Sequence, residues 1–280
     1  MNINLIAQYI DNALQEDLGI GCDITSKLLL QEDDVKGEFQ IIAKEDGVLC
    51  GVEIVSYILN KYSNAKYELF RQDGFPIKQK QIIAQIIGDA KEILMLERVM
   101  LNYLQHLSGI ATLTRKYVDA ANGKAKICDT RKTIPGLRML QKYAVRCGGG
   151  YNHRLALDSS ILIKDNHIAL SGNKVSHLIK QAKKRAPHYT KIEVECDNLE
   201  LLPDIVQAKP DIIMLDNMNI DQIKHAVKII NKIALIDVSG GVTLDNIPNI
   251  INCNIDFISI GRLTNSSQAI DISMECSFSS

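Results

Sequence analysis

Hydrophobic and polar positions follow two different rhythms along the chain, and the change falls before its midpoint. Residues 3–16 place Ile3, Ile6, Ile10, Ala13 and Leu14 on one helical face. Between about 35 and 93 come short apolar runs, Phe39–Ala43, Val48–Leu49, Tyr67–Phe70 and Ile82–Ile87, punctuated by Asp46-Gly47 and Asp73-Gly74 as turns. This predicts a mostly antiparallel sheet accompanied by helices. A long periodic stretch then runs from Ile93 to about Ala121, with Leu96, Val99, Met100, Leu104 and Leu107 as its buried stripe.

After Gly123 six short apolar runs appear: Ala125–Cys128, Ile161–Ile163, Ile192–Val194, Ile212–Leu215, Ile233–Val238 and Phe257–Ile260. Helical patterns separate them at 137–145, 175–186, 199–207 and 220–230. Strand alternating with helix means a parallel sheet. Six units are too few for a full eightfold barrel, so an open, incomplete α/β barrel fits. The expected division is an N-terminal α/β domain over 1–108 and a barrel over 109–267, with 268–280 returning to the first domain.

Charge narrows the function. Thirty-two basic against thirty-three acidic residues leave a net charge of −1, which argues against a general nucleic-acid or membrane-surface binder. Any anion site must come from a local cluster. Seven cysteines contain no C-x-x-C pair, so reduced thiols in a cytoplasmic protein are the simple reading. No secretory signal or membrane span is expected, the most apolar helical stretch being broken by Glu97-Arg98. Arg98 itself, between Leu96 and Val99, reads as a charge in an apolar stripe that needs a partner.

The chemistry is expected where the apolar runs end. Their ends carry Asp129-Thr130-Arg131-Lys132, Lys164-Asp165-Asn166-His167, Glu195-Cys196-Asp197, Asp216-Asn217, Ser239-Gly240-Gly241 and Gly261-Arg262. In α/β barrels the C-terminal strand ends build one mouth, so these groups converge although they are far apart in sequence. Between the first two runs lies Arg146-Cys-Gly-Gly-Gly-Tyr-Asn-His153-Arg154, which adds charge beside three glycines. The glycines after the fifth and sixth runs suit a phosphate. Arg131, Lys132, His153, Arg154 and Lys164 imply a polyanionic ligand. Glu195 and Asp216 are candidates either for Mg²⁺, together with substrate phosphates, or for salt bridges to the lysines. The residues alone thus point to an enzyme acting on a phosphorylated, carboxylated small molecule.

Several of these stretches closely resemble the quinolinate phosphoribosyltransferase, or nicotinate-nucleotide pyrophosphorylase, family. They are Glu97-Arg98-Val-Met-Leu-Asn-Tyr-Leu-Gln-His-Leu-Ser-Gly, Asp129-Thr-Arg-Lys-Thr-Ile-Pro-Gly-Leu-Arg, Lys142-Tyr-Ala-Val-Arg-Cys-Gly-Gly-Gly-Tyr-Asn-His-Arg154 and Leu162-Ile-Lys-Asp-Asn-His167. Ile192-Glu-Val-Glu195, Met214-Leu-Asp-Asn217, Ser239-Gly-Gly241 and Ile258-Ser-Ile-Gly261 continue the match, which spans essentially the whole chain. The resemblance implies an N-terminal α/β sandwich and a C-terminal open α/β barrel of the type II phosphoribosyltransferase kind. It also implies the reaction of quinolinate with phosphoribosyl pyrophosphate, with Mg²⁺, to give nicotinate mononucleotide, pyrophosphate and CO2. By motif matching, Thr130, Arg131, Lys132, His153, Arg154 and Lys164 fall on the family's basic pocket, and Glu195 and Asp216 on its ribose- and metal-linked acidic positions. Ser239, Gly240, Gly241 and Gly261 fall on its phosphate loops; Ile260 and Arg262 flank the last of these as further candidates for substrate binding, Arg262 either adding an anion contact or facing solvent. Arg98 falls where the family presents an arginine to the neighbouring subunit, implying a homodimer with a shared site.

Two departures stand out: Arg262-Leu-Thr-Asn265 replaces an Ala-Leu-Thr-His pattern, and Asp237 stands where a longer Glu is usual. They bear on phosphate contacts. The competing readings are a same-fold transferase for another acceptor and a metabolite sensor without catalysis. A dicarboxylate needs two cationic anchors, which the basic set supplies, and a sensor would have no reason to keep Lys132, Glu195 and Asp216.

Overall fold

Two large sheets of opposite character carry the chain, with a short antiparallel pair, Gly47–Val48 against Pro76–Ile77, beside them in sequence. The computed structural model describes residues 3–30, 35–172 and 174–277. In chain order the first elements are α1 (Ala7–Leu18), α2 (Ile24–Leu29), β1 (Lys36–Ala43), β2 (Gly47–Val48), α3 (Val52–Tyr62), β3 (Lys66–Leu69), β4 (Pro76–Ile77), β5 (Ile82–Asp89) and α4 (Ala90–Ala121). Then come β6 (Lys126–Cys128), α5 (Arg138–Cys147), β7 (Ile161–Ile163), α6 (Asp165–Leu170), α7 (Val175–Arg185), β8 (Ile192–Cys196), α8 (Leu202–Ala208) and β9 (Ile212–Asp216). The chain continues with α9 (Ile220–Ile230), β10 (Leu235–Ser239), α10 (Ile247–Ile250), β11 (Phe257–Ser259), α11 (Arg262–Asn265) and β12 (Ile272–Cys276).

The first sheet is antiparallel, in the order β12-β1-β5-β3. Along β1 the alternate residues Phe39, Ile41 and Ala43 are buried, the period-two pattern of a sheet with one covered face. Helix α1 buries Ile10 and Leu14, and Ile6 before it is also buried. Helix α3 lies outside the predicted helices, yet Val52, Ile54, Val55, Ile58 and Leu59 are buried along it. Each large aliphatic so enclosed contributes about 1.5–3 kcal/mol.

The second sheet is parallel throughout, in the order β6-β11-β10-β9-β8-β7. Its six strands fall on the six predicted runs, with β10 beginning later, at Leu235, where pairing with Ile212 of β9 starts. Strands β6 and β7, consecutive in sequence, stand at opposite edges, which is the strand order of an opened barrel. The free side of β6 is met by Tyr151 alone among the described residues, which bridges to Cys128 through Tyr151 N to Ile127 O (2.8 Å) and Asp129 N to Tyr151 O (3.1 Å).

By its internal contacts the chain divides into one unit of 1–115, 133–149 and 263–280 and another of 116–132 and 150–262. The segment 133–149 therefore leaves the predicted barrel span and packs with the first unit. The reason lies in α5. Tyr143 donates to Asp73 Oδ2 (2.8 Å), Gln141 Nε2 donates to the Thr264 carbonyl (3.0 Å), and Gly148 approaches α4 so closely that a Cβ would sit 2.5 Å from the Ala111 carbonyl. Strand β12 pairs with β1 from Phe39↔Cys276 to Ala43↔Ile272, so the residues after 271 complete the antiparallel sheet. Among the described residues no helix is long and apolar enough to cross a membrane, and none of the seven cysteines forms a disulfide.

Candidate active site

The C-terminal ends of the parallel strands surround a pocket of about 270 Å³. Thr130, Arg131, Lys132, His153, Arg154, Lys164, Glu195, Asp216 and Ser239, all expected at the mouth, line it together with Leu162, Asp165 and Met214. Leu162 and Met214 are legible in the sequence only as strand residues; they supply the apolar part of the wall.

Strand alternation explains the acidic side. Glu193 and Glu195 lie two apart on β8 and so share a face, and β8 pairs with β9 with Glu195 beside Met214, bringing Asp216 to the same rim. Glu195 is ion-paired with Lys164 Nζ, and Asp216 Oδ2 accepts from Asn217 Nδ2 (3.0 Å). Lys164 directly precedes α6, where its backbone N–H donates to His167 Nδ1 (3.0 Å), so the Lys-Asp-Asn-His stretch is a strand-to-helix turn that fixes the lysine.

On the basic side, Lys132 N donates to Thr130 Oγ1 (3.0 Å), tightening the turn after β6. Asp129, fully buried, accepts from Asn152 Nδ2 (2.6 Å) and from His153 N (2.9 Å), which ties the 151–154 stretch to the end of β6. Arg154 Nη1 donates to the Ser160 carbonyl (3.0 Å), while its buried Nε has no hydrogen-bond partner among the described residues. Burial lowers the Arg154 pKa from its ordinary value, and the neighbouring Arg131 charge lowers it further. Two guanidinium groups held close enough to disfavour one another are a site built for an anion.

The glycine loops lie beside this wall. Gly240 has φ of +85°, and a Cβ there would stand 2.7 Å from the Asn217 backbone N, so both conformation and close approach require glycine. A Cβ on Gly261 would meet Lys132 Cδ at 2.8 Å, so this loop borders the lysine. Ile260 is buried and donates its N–H to the Cys128 carbonyl (2.9 Å). Gly240, Gly241, Ile260, Gly261 and Arg262 are not among the pocket-lining residues; Arg262 is exposed, and its charge is felt at Tyr117.

Arg98 is also outside the pocket lining. It does not lie in the apolar stripe of α4. Leu96, Val99 and Met100 are buried while Arg98 is exposed, because a helix advances 100° per residue and carries position 98 to the opposite face.

Glu193 goes beyond the residues expected from the sequence, and Asp237, expected to bear on phosphate contacts, lies buried beside it and outside the pocket lining. Beneath Glu195 the same sheet face carries Glu193 and Asp237, both almost fully buried, with His153 beside them. His153 Nε2 lies 2.8 Å from Glu193 Oε2, and Asp237 Oδ2 accepts from Ser259 Oγ (2.6 Å). Burial, and then the Glu193 charge, pushes Asp237 up to about 7. The signal for this group is the Glu-Val-Glu alternation of β8, which sets a charge at an inward strand position.

Comparison with known proteins agrees with this geometry. Residues 23–108 match the family model for the N-terminal domain of quinolinate phosphoribosyl transferase, and 110–275 the model for its C-terminal domain. A probable nicotinate-nucleotide pyrophosphorylase [carboxylating] of Bacillus subtilis is 40% identical over 100% of this chain and 96% of its own. The like-named protein of Methanocaldococcus jannaschii is 42% identical over 96% of each. The crystal structure of nicotinate-nucleotide pyrophosphorylase from Ehrlichia chaffeensis superposes with a TM-score of 0.92 at 41% identity, over 97% of this chain and 98% of that one.

Proposed function

The chain belongs to the quinolinate phosphoribosyltransferase family, and from that premise we propose how its residues carry the reaction. The enzyme transfers phosphoribose from phosphoribosyl pyrophosphate to quinolinate, giving nicotinate mononucleotide, pyrophosphate and CO2, a step of NAD biosynthesis. The observation that carries the assignment of roles is the pairing of Arg131 and Arg154 on one wall of a pocket whose other wall is acidic.

Arg131 and Arg154 hold the two carboxylates of quinolinate, for which paired guanidinium groups give planar, charge-assisted contacts. His153, expected from the sequence as a third anchor, has both ring nitrogens turned to the protein and borders the pocket instead. Glu195 and Asp216 face the ribose, where cleavage at C1 develops positive charge that fixed carboxylates stabilise. Lys132 and Lys164 stand at the reaction centre, between the anchors and the acidic pair. The pyridine nitrogen bonds to C1 as the C1–O bond to pyrophosphate breaks. The carboxylate next to the now cationic nitrogen leaves as CO2, its electron pair stays on that ring carbon, stabilised by the adjacent positive charge, and a proton from solvent then takes the vacated position. Ser239, Gly240, Gly241 and Gly261 supply the small residues and backbone N–H groups for the phosphate.

Glu195 and Asp216 also fit Mg²⁺: both are carboxylates on one rim, offering the hard oxygen donors that this ion takes one or two at a time alongside substrate phosphates. When bound, the ion neutralises the leaving pyrophosphate. A shared-site homodimer is supported by Arg98, exposed on α4 and so available to a second copy. A cytoplasmic location accords with seven cysteines outside any disulfide.

The test is direct. The purified chain with quinolinate, phosphoribosyl pyrophosphate and Mg²⁺ should release CO2 from the carboxylate next to the ring nitrogen, and EDTA should abolish release. No release with both substrates present would overturn the assignment of roles, and a rate indifferent to EDTA would remove the ion.

A further inference from the structure

Glu193 lies one layer below the pocket floor, 4% exposed, on the same face of β8 as Glu195. A carboxylate this deep is costly unless it is held to something. Its Oε2 is 2.8 Å from His153 Nε2. The other ring nitrogen is committed as well, since His153 Nδ1 accepts the backbone N–H of Arg154 at 2.8 Å. An acceptor carries no proton, so in the neutral ring the proton sits on Nε2, facing Glu193. Both nitrogens of His153 are therefore turned to the protein: Nδ1 is hydrogen-bonded by the backbone of the next residue, and Nε2 is in close charge contact with a buried carboxylate, off the ideal hydrogen-bond angle. Arg154 is held at two points as a result: its N–H is fixed by the ring, and its guanidinium by the Ser160 carbonyl.

We infer that Glu193 is a positioning residue for quinolinate binding, bracing the His153 ring so that His153 in turn holds the Arg154 backbone in register with the pocket. The chain of contacts runs from the sheet floor to the anchor: Glu193 to His153 to Arg154, with Asp129 holding His153 from the side of β6. Without the carboxylate the ring turns freely, the Arg154 N–H loses its acceptor, and the guanidinium no longer matches a carboxylate fork. The loss falls on binding of the dicarboxylate. Phosphoribosyl pyrophosphate and the turnover of the assembled complex depend on the other wall and are spared. The inference rests on Arg154 being a quinolinate anchor, as proposed above.

Steady-state kinetics of Glu193→Met, Glu193→Gln, Arg154→Ala and the double variant Glu193→Met/Arg154→Ala test it. Methionine keeps the volume and removes the acceptor. Because deleting one partner of a buried charge contact destabilises the fold, a urea unfolding midpoint is recorded for each variant and kinetics are compared at full folding, with Glu193→Gln as the milder probe. Glu193→Met should raise KM for quinolinate about tenfold, the value of one well-placed contact, with kcat and KM for phosphoribosyl pyrophosphate within about twofold. Glu193→Gln, which keeps an acceptor for Nε2–H, should return KM to within about threefold of the parent. The double variant should be no worse than Arg154→Ala alone, because the brace has nothing left to brace. A Glu193→Met enzyme that loses kcat at unchanged KM, a Gln variant as impaired as Met, or losses that multiply in the double variant would each overturn the inference. An Arg154→Ala enzyme with normal KM would instead sink the anchor assignment itself.

Discussion

Lys164 donates from Nζ to Glu195, so the cation proposed for the reaction centre and the carboxylate proposed to face the ribose are partnered with each other. They come from neighbouring strands: Glu195 sits near the end of β8 and Lys164 comes directly after β7. Lys164 is 44% exposed in its side chain and Glu195 only 13%, so the lysine is the partner open to solvent. The ion pair gives a largely buried carboxylate a cationic partner at the rim of the pocket.

Glu195→Gln preserves shape and removes that charge. Its kcat should fall about 10²- to 10³-fold, the usual cost of one preorganised electrostatic contact. Quinolinate KM should change little, because the anchors lie on the other wall. CO2 release under saturating substrates measures it, and a Gln variant within about tenfold of the parent would remove Glu195 from transition-state stabilisation.

Lys132→Ala should likewise depress kcat, by about a hundredfold, while leaving quinolinate affinity near its parent value. Gly261→Ala tests the same lysine from behind, since a Cβ there would meet Lys132 Cδ at 2.8 Å. It should lower kcat less than Lys132→Ala, the far end of a lysine being able to shift. Normal turnover in Lys132→Ala would show that this lysine only pairs with nearby carboxylates.

Asp237 gives a pH dependence with a definite sign. Its carboxyl, facing Glu193, His153 and Ser259, is raised from 3.8 to about 7, so the folded chain binds the proton more tightly than the unfolded chain. The stability from that proton is fully present below 3.8 and is lost as pH rises through about 7. Between these values the parent should lose up to about 1.4 kcal/mol per pH unit from this group. Asp237→Asn keeps an acceptor for Ser259 and has nothing to titrate, so its urea midpoint should vary less between about pH 5 and 7. Equal slopes in the two proteins would refute the assignment.

Arg98 offers a test of the proposed shared-site dimer. If it completes a neighbour's pocket, co-refolding Arg98→Ala with Lys164→Ala chains in equal amounts makes half of the dimers mixed, each with one intact site. About a quarter of full activity should return, by the symmetry of a two-fold dimer. Mixed dimers confirmed by mass but inactive would place Arg98 within its own chain's business.

The strands of the barrel are legible in the sequence because parallel strands, covered on both faces, read as uninterrupted apolar runs. The mouth is legible for the same reason: the residues after Cys128, Ile163, Val194 and Leu215 must sit at one end of the sheet. Helix α3 is not, since Val52–Leu59 lies among strand-like runs whose apolar pattern competes with its helical spacing. Nor is the departure of 133–149, which depends on Tyr143 and Gln141 finding distant partners. The floor beneath the pocket is hidden because Glu193 in sequence is one charge near others; only sheet alternation turns it inward, under His153.

Strand β6 has a single full ladder, to β11, with Ile127 beside Ile258. A ribosome reads the chain in one direction, so more than a hundred residues are synthesised between the two strands. Strands β7 to β10 can zip to their immediate successors as they emerge, whereas β6 has only Tyr151 to meet, among the described residues, until Phe257–Ser259 arrives. Long sequence separation makes that closing step slow, and an unpaired strand edge is prone to wrong partners meanwhile. The residues that β6 delivers to the mouth, Thr130, Arg131 and Lys132, take their places only then. A nascent chain stalled before β11 thus holds the acidic wall without the strand that carries half of the basic one, and late arrest of translation should yield a product that is both inactive and aggregation-prone.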